Sequence, residues 1–334
     1  MELDKRLRKI AYLKKRVDAI MLYGYDPNFF YFTNTRSGET FCYDFSEPVI
    51  MSSRMNAEQS GTGWIKRIKI ADIRTRAEYF DALKGIFSKS DVIGVNKDSL
   101  PASFFEKLKR RFHVVDIGKE LDEARMIKTN YEINCIKKAC SIGGKAFNEV
   151  NKEIRPGMTE NEVAGLLELA VRKKNTRLFL DTIVAFGGNT RMPHHETGGK
   201  KLRKGEPVLV DFSVSYKGYL SDITRMINSS LEDKLKDVMN ELYSQIKPGI
   251  KARKLELYAR KILGDYEKYF THSLGHGVGI AIHERPSISR NSKDVLKPDM
   301  IFTIEPGIYM KNEGARIEDV FLLTENGKKK LSVF

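Results

Sequence analysis

The sequence predicts an α/β protein of the α+β kind, built as two domains. Three observations predict it. The 334-residue length is more than one ordinary core requires. As far as Ile117, short apolar runs alternate with amphipathic segments. Beyond Arg125 the pattern changes to two long helical stretches followed by longer strand-like segments. The change falls over 116–125 and sets the domains at 1–120 and 121–334.

In the first domain an amphipathic helix is expected over 3–17, then a strand at Ala19–Tyr23. Apolar runs at 48–51 and 68–70 lead to a helix over 76–87. A strand at Val92–Val95, a helix over 102–111 and a strand over 114–117 complete a sheet covered by helices. No phosphate-binding glycine loop opens any of these helices. In the second domain, helices over 129–153 and 160–173 precede strands over 182–186, 208–214, 219–227, 301–309 and 315–323. Ile154-Arg155-Pro156-Gly157-Met158 and Ile246-Lys247-Pro248-Gly249-Ile250 each separate two helices. Proline without its N–H and glycine with free φ both stop a helix there. Their recurrence suggests a duplicated half-domain with a site between the halves.

Composition narrows the function classes. The chain is 41% hydrophobic and 31% charged, as folded globular proteins are. No apolar run approaches membrane-spanning length, and Met1-Glu2-Leu3-Asp4-Lys5 is not a signal peptide. Cys42, Cys135 and Cys140 are odd in number and show no CxxC spacing, which suits a reducing cytoplasm. The net charge of +14 gathers at 5–9, 200–204 and 328–330. None of these clusters is interleaved with aromatics or set in a nucleic-acid-binding motif, so they read as a solvated surface.

The chemistry concentrates in five residues: Asp211, Asp222, His276, Glu305 and Glu318. Asp211 lies in Val208-Leu209-Val210-Asp211-Phe212, and Glu305 ends the run Ile301-Phe302-Thr303-Ile304. A charge in such surroundings must be paired or metal-bound. Asp211 and Asp222 flank a hairpin with its turn at Lys217-Gly218, which lets both carboxylates enter one space. His276 stands in Gly275-His276-Gly277-Val278-Gly279, where glycines let the backbone come close to a ligand. Four carboxylates and an imidazole match the charge of two divalent cations. Paired cations of this kind point to hydrolysis.

These motifs, in this order, resemble the pita-bread metallopeptidases, a family that includes methionine aminopeptidase, aminopeptidase P and Xaa-Pro dipeptidase. The likeness spans about 121–333. The N-terminal part, with Asn28-Phe29-Phe30-Tyr31-Phe32-Thr33, resembles the creatinase-type domain that precedes the catalytic domain in the proline-specific branch. The resemblance implies that Asp211 binds one metal, that His276 and Glu305 bind the other, and that Asp222 and Glu318 bridge both. It implies that Glu305 takes up and returns the proton of the attacking water. His194, in Met192-Pro193-His194-His195-Glu196, and His283, in Ile282-His283-Glu284, match the family's substrate-facing histidines. Arg316 matches the arginine that buttresses the site. Taken by itself, His195 reads as an exposed loop residue.

The implied activity is hydrolysis of Xaa-Pro bonds, foremost in dipeptides, with release of the first residue from longer Xaa-Pro peptides as the alternative. Many prolidases carry an arginine just after the proline that follows the His-Glu pair, where it binds the substrate's terminal carboxylate. Here His283-Glu284-Arg285-Pro286-Ser287 puts Ser287 at that position and Arg285 before the proline. The oxygen-rich donor set suits manganese, and the imidazole also admits cobalt, iron or zinc. The resemblance further implies a homodimer. The intact ligand set argues against a metal-free relative that only binds, and against a creatinase-like hydrolase that works without metal.

Overall fold

The alternation of strands and helices in the N-terminal part builds one six-stranded sheet in the computed structural model, which describes residues 1–333. The strands are β1 (Ala19–Tyr23), β2 (Thr40–Tyr43), β3 (Val49–Ser53), β4 (Ile68–Ala71), β5 (Val92–Val95) and β6 (His113–Asp116), ordered β4-β3-β2-β1-β5-β6. β1 pairs antiparallel with β2 and parallel with β5. Central strands covered on both faces read as unbroken apolar runs, and β1 is Ala-Ile-Met-Leu-Tyr. The helices are α1 (Glu2–Ile10), α2 (Pro27–Thr33), α3 (Ala57–Ser60), α4 (Arg76–Lys84), α5 (Ala102–Lys109) and α6 (Gly118–Met126). One core joins Met21, Met51, Ile93, Phe80, Leu83, Phe104 and Leu108.

One expectation shifts here, and one element is added. The first helix ends at Ile10 and tightens into a 3-10 turn over Ala11–Lys15, which delivers the chain to β1. The segment 28–33 is helical, because Pro27 sits in its first turn and the Asp26 carboxylate accepts the Asn28 N–H.

The chain divides into compact units Met1–Arg125 and Met126–Phe334. In the second, α7 (Asn130–Asn151) and α8 (Glu160–Arg172) start at reciprocal capping boxes, Thr129 with Glu132 and Thr159 with Glu162. They cover the strands β7 (Arg177–Leu178), β8 (Ile183–Phe186), β9 (Val208–Phe212), β10 (Val214–Tyr216), β11 (Tyr219–Leu220) and β12 (Ile223–Ile227). α9 (Glu232–Gln245) and α10 (Ala252–Leu263) pack on a second layer, β13 (Gly275–Gly277), β14 (Glu284–Ile288), β15 (Ile301–Ile304), β16 (Gly307–Tyr309), β17 (Gly314–Arg316), β18 (Asp319–Thr324) and β19 (Gly327–Lys330). The sheet orders are β12-β9-β8 and β14-β13-β15-β18-β19, beside the smaller β11-β10-β7 and β16-β17. Gly143 of α7 lets the helix lie against Phe212, Ile223 and Val214. A Cβ there would meet them at 3.1, 3.2 and 3.4 Å.

The two Pro-Gly turns are structural copies. Gly157 N–H donates to the Leu202 carbonyl, and Leu202 N–H returns a bond to Met158. Gly249 N–H donates to the Leu296 carbonyl, and Leu296 N–H returns a bond to Ile250. Both glycines have positive φ, +96° and +83°. The half-domain repeat is therefore real at the level of backbone pairing.

Four expected long strands are each broken in two: 208–214 at Ser213, 219–227 at 221–222, 301–309 at 305–306, and 315–323 at 317–318. Strand-forming residues stand on both sides of each break, and a gap of one or two residues does not interrupt the pattern that joins them. Three of the breaks hold Asp222, Glu305 and Glu318.

Candidate active site

Asp211 sits on β9 opposite Thr224 of β12, and Asp222 directly precedes β12. Residues diagonal across an antiparallel pair share a face within side-chain reach, so both carboxylates point one way. Their strands are joined through a turn in which Lys217 (φ +50°) and Gly218 (φ +83°) both have positive φ, the I′ geometry that suits a hairpin. Glu318 enters from the other layer, where its N–H donates to the Thr224 carbonyl at 3.2 Å. Glu305 follows β15, and its N–H donates to the Leu274 carbonyl beside β13, the strand of His276.

The side chains meet in one cavity of about 400 Å³ that is lined by Asp211, Asp222, His276, Glu305, Glu318, His194, His283 and Arg316. Every site residue expected from the sequence is thus brought together. Ligand atoms of Asp222, His276 and Glu318 all lie within 4.8 Å of one another. His276 Nε2 is 3.4 Å from Glu305 Oε1 and 3.7 Å from Asp222 Oδ2. His276 Nδ1 lies 3.2 Å from the Gly277 carbonyl, so Nδ1–H donates there and Nε2 faces the carboxylates. The His283 ring packs edge-on to His276 with centroids 4.3 Å apart.

Arg316, 3% exposed, ties the remaining groups together. Its Nη2 donates to Asp211 Oδ2 at 2.6 Å, Nη1 to the Tyr309 hydroxyl at 2.6 Å and to the Pro193 carbonyl at 3.3 Å, and Nε to Thr224 Oγ1 at 3.1 Å. Thr224 Oγ1 in turn donates to Glu318 Oε2 at 2.9 Å. Beyond Tyr309 lies His272, which also lines the cavity. Its Nδ1–H donates to the Ser273 carbonyl at 2.8 Å, so Nε2 accepts from the Tyr309 hydroxyl at 2.9 Å. His272 Nδ1 is also 3.7 Å from Glu305. Sequence reasoning missed His272, Tyr309 and Thr224. Thr271-His272-Ser273 carries no glycine or apolar signal, and Tyr309 reads as core.

Electrostatics show what the site lacks. Burial first, and then neighbouring carboxylates, push Asp222 and Glu318 well above the usual carboxylate range. Burial works against a charge on His276, yet Glu305 and Asp222 outweigh it and raise the imidazole to about 9. Burial would also raise Glu305, but His276, His272 and Arg316 hold it below its ordinary value. His272 and His283 are lowered, chiefly by burial. Arg316 and a protonated His276 offset only part of four carboxylates. The donor set therefore fits hard divalent cations, whose charge would replace the protons that Asp222, Glu318 and His276 retain.

One further residue departs from expectation. His195 is not an exposed loop residue: its ring is 10% exposed, and Nε2 lies 2.9 Å from the buried Glu160. Ser287 lines the cavity, whereas the Arg285 guanidinium pairs with Asp294, which also accepts the Ser287 N–H. Lys128, in the segment before α7, forms a buried ion pair with Glu284, the residue after His283.

Comparison with known proteins fits this geometry. The chain is 33% identical to an Xaa-Pro dipeptidase of Pyrococcus horikoshii, over 99% of this chain and 97% of that protein. It is 38% identical to an Xaa-Pro dipeptidase of Pyrococcus furiosus over 76% of this chain and 77% of that protein. Among solved structures, an Xaa-Pro dipeptidase from Bacillus anthracis superposes with a TM-score of 0.89 at 28% identity, covering 100% of this chain and 98% of that one. An X-Pro aminopeptidase from Thermotoga maritima superposes at 0.87 with 27% identity, covering 98% of each. Residues 5–127 match the Creatinase/Prolidase N-terminal domain, and residues 134–325 match metallopeptidase family M24. The chain belongs to metallopeptidase family M24, with a creatinase-type domain ahead of a catalytic domain of pita-bread fold.

Proposed function

We propose that this enzyme hydrolyses Xaa-Pro bonds, with Xaa-Pro dipeptides as its main substrates. The observation that carries the reading is the convergence of eight named side chains on one cavity inside a family M24 domain. The relatives named as Xaa-Pro dipeptidases support the substrate class.

In this reading Asp211, Asp222, His276, Glu305 and Glu318 hold two divalent cations, with manganese first and cobalt, iron or zinc as alternatives. Bound paired cations supply an acidified water and polarise a carbonyl. The chain's own groups do the rest. Glu305, held ionised, takes the proton of the attacking water and passes it to the departing proline nitrogen. His283, whose pKa is lowered from its ordinary value, donates an N–H to the carbonyl oxygen as negative charge develops there. His194 faces the substrate from the opposite loop. Arg316 fixes Asp211 and the Tyr309 hydroxyl. Leu180, Ile183 and Ile282 give the cavity an apolar wall suited to a proline ring. We read the working enzyme as a cytoplasmic homodimer. The family likeness supports the dimer, and three buried free cysteines suit a reducing compartment.

Ser287 favours a second substrate length. With serine on the cavity wall and Arg285 engaged by Asp294, nothing in this pair clamps a terminal carboxylate, as longer Xaa-Pro peptides would require. A panel of Met-Pro, Met-Pro-Ala and Met-Ala, assayed after loading with each metal, separates the readings. Fastest turnover of Met-Pro supports the dipeptidase, and preference for the tripeptide the aminopeptidase. Equal turnover of Met-Ala, or no turnover with any metal, would sink the proline-directed reading.

A further inference from the structure

We propose that Glu160 and His195 are positioning residues that set the place of His194 in the cavity. The proposal rests on the reading above that His194 faces the substrate. Glu160 opens α8, is 0% exposed, and collects four donors. Its Oε1 accepts Phe186 N–H at 2.9 Å and Asn189 Nδ2–H at 2.8 Å. Its Oε2 accepts His195 Nε2–H at 2.9 Å and Gly198 N–H at 3.1 Å. These partners lie at the end of β8, along the loop that follows it, and beyond the histidine pair. One buried carboxylate therefore pins the stretch that carries His194 at four points between Phe186 and Gly198.

The chemistry explains why an ionised acid stands there. A single carboxylate offers about four lone-pair sites, and all four are used. Burial alone would push its pKa up, but His195, Asn189 and the two backbone N–H groups outweigh burial and hold it below the usual range. Other bonds close the frame around it. Thr197 Oγ1 donates to the Thr182 carbonyl and accepts Val184 N–H, at 2.7 and 2.8 Å. His195 N–H donates to the Met192 carbonyl at 3.1 Å, and Arg316 Nη1 reaches the Pro193 carbonyl. His194 thus lies between one residue held by Arg316 and another held by Glu160. Its neighbours are fixed in position, so its ring is aimed without being held directly.

A set of variants of the metal-loaded enzyme, His195→Leu, His195→Gln and Glu160→Gln, tests this in the native chain, and His195→Leu is also made in a His194→Ala background. A misplacement on the order of 1 Å can cost up to about a hundredfold in rate. His195→Leu is therefore expected to lower kcat/KM by about ten- to a hundredfold, with the unfolding midpoint little changed. His195→Gln, whose amide N–H falls where Nε2–H does, should recover most of that loss. Glu160→Gln turns one acceptor into a donor facing other donors and should behave like His195→Leu. If His195 acts through His194, His195→Leu costs less than about twofold once His194 is alanine, by the logic of the double-mutant cycle. As a readout apart from activity, the ¹⁵N-histidine spectrum should show a slowly exchanging His195 ring N–H that disappears in Glu160→Gln. Equal losses in both backgrounds, or none in the native chain, would overturn the proposal. A His194→Ala enzyme as active as the native one would instead remove the role of His194 on which the proposal rests.

Discussion

Arg316 organises more of the site than any other side chain, and the reason is geometric. Its planar fork reaches Asp211, Tyr309, Thr224 and the Pro193 carbonyl at once, four partners that a point charge on a flexible stem could not serve together. Arg316→Lys keeps the charge and loses the fork. Each lost bond leaves a buried polar group unpaired, at about 1–3 kcal/mol. We expect kcat to fall at least about tenfold, and the unfolding midpoint to drop measurably. Native kcat in the lysine variant would show that only the charge matters. At this scale the sequence was informative where residues stand in short charged or glycine-rich settings, as Arg316, His276 and Glu318 do. It was silent on His272. That imidazole enters the site only because Tyr309, far along the chain, presents a hydroxyl to its Nε2. His195 reads as exposed for the same reason, since its partner Glu160 reads as an ordinary first-turn acid of a helix.

Among the elements, the segment before α7 and the strand β14 are joined by the buried Lys128–Glu284 pair. Their side chains are 0% and 2% exposed, so the pair carries a desolvation cost that a surface pair would not. Such pairs contribute little net stability, but breaking one by removing a single partner costs about 3–5 kcal/mol. Lys128→Met should therefore lower the free energy of unfolding by that amount, and Lys128→Met/Glu284→Met should recover much of it, measured by denaturant titration. If both variants were equally destabilised, the loss would lie in packing rather than in an orphaned charge. Glu284 also explains a glycine of the Gly-His-Gly-Val-Gly motif. A Cβ on Gly279 would lie 2.3 Å from its Oε1, so the motif serves the ion pair as well as His276. Element positions were largely legible: β1 and β5 fall where apolar runs and turn signals put them, and α7 and α8 start at capping boxes. The breaks at 221–222, 305–306 and 317–318 were not. Each holds one carboxylate flanked on both sides by strand-forming residues, and a gap that short does not end a periodic pattern.

For the whole molecule, net charge misleads about the site. The chain carries +14, yet its cavity gathers four carboxylates whose mutual repulsion two cationic groups only partly offset. This fixes how metal-free protein should respond to pH. Asp222, Glu318 and His276 all have raised pKa values in the fold, so the native state binds more protons than the unfolded chain above their ordinary values. Stability from such groups is present below the unfolded pKa and is lost as pH rises through the folded one. His272 and His283 are lowered and act in the opposite direction, but only below their ordinary value near 6.5. Above that, His276 continues to lose its contribution up to about pH 9. The chelator-treated protein should thus unfold at progressively lower temperature from pH 7 to pH 9. Manganese should reverse the trend, because cations bind the deprotonated ligands and gain affinity as protons leave. At a hundredfold excess over Kd the stabilisation is about 2.7 kcal/mol, and at one fixed metal concentration it should be larger at pH 8 than at pH 6. Thermal melts at several pH values, with and without the metal, measure both effects. A metal-free midpoint that climbs over this range and ignores manganese would show that these carboxylates are neither crowded nor ligands.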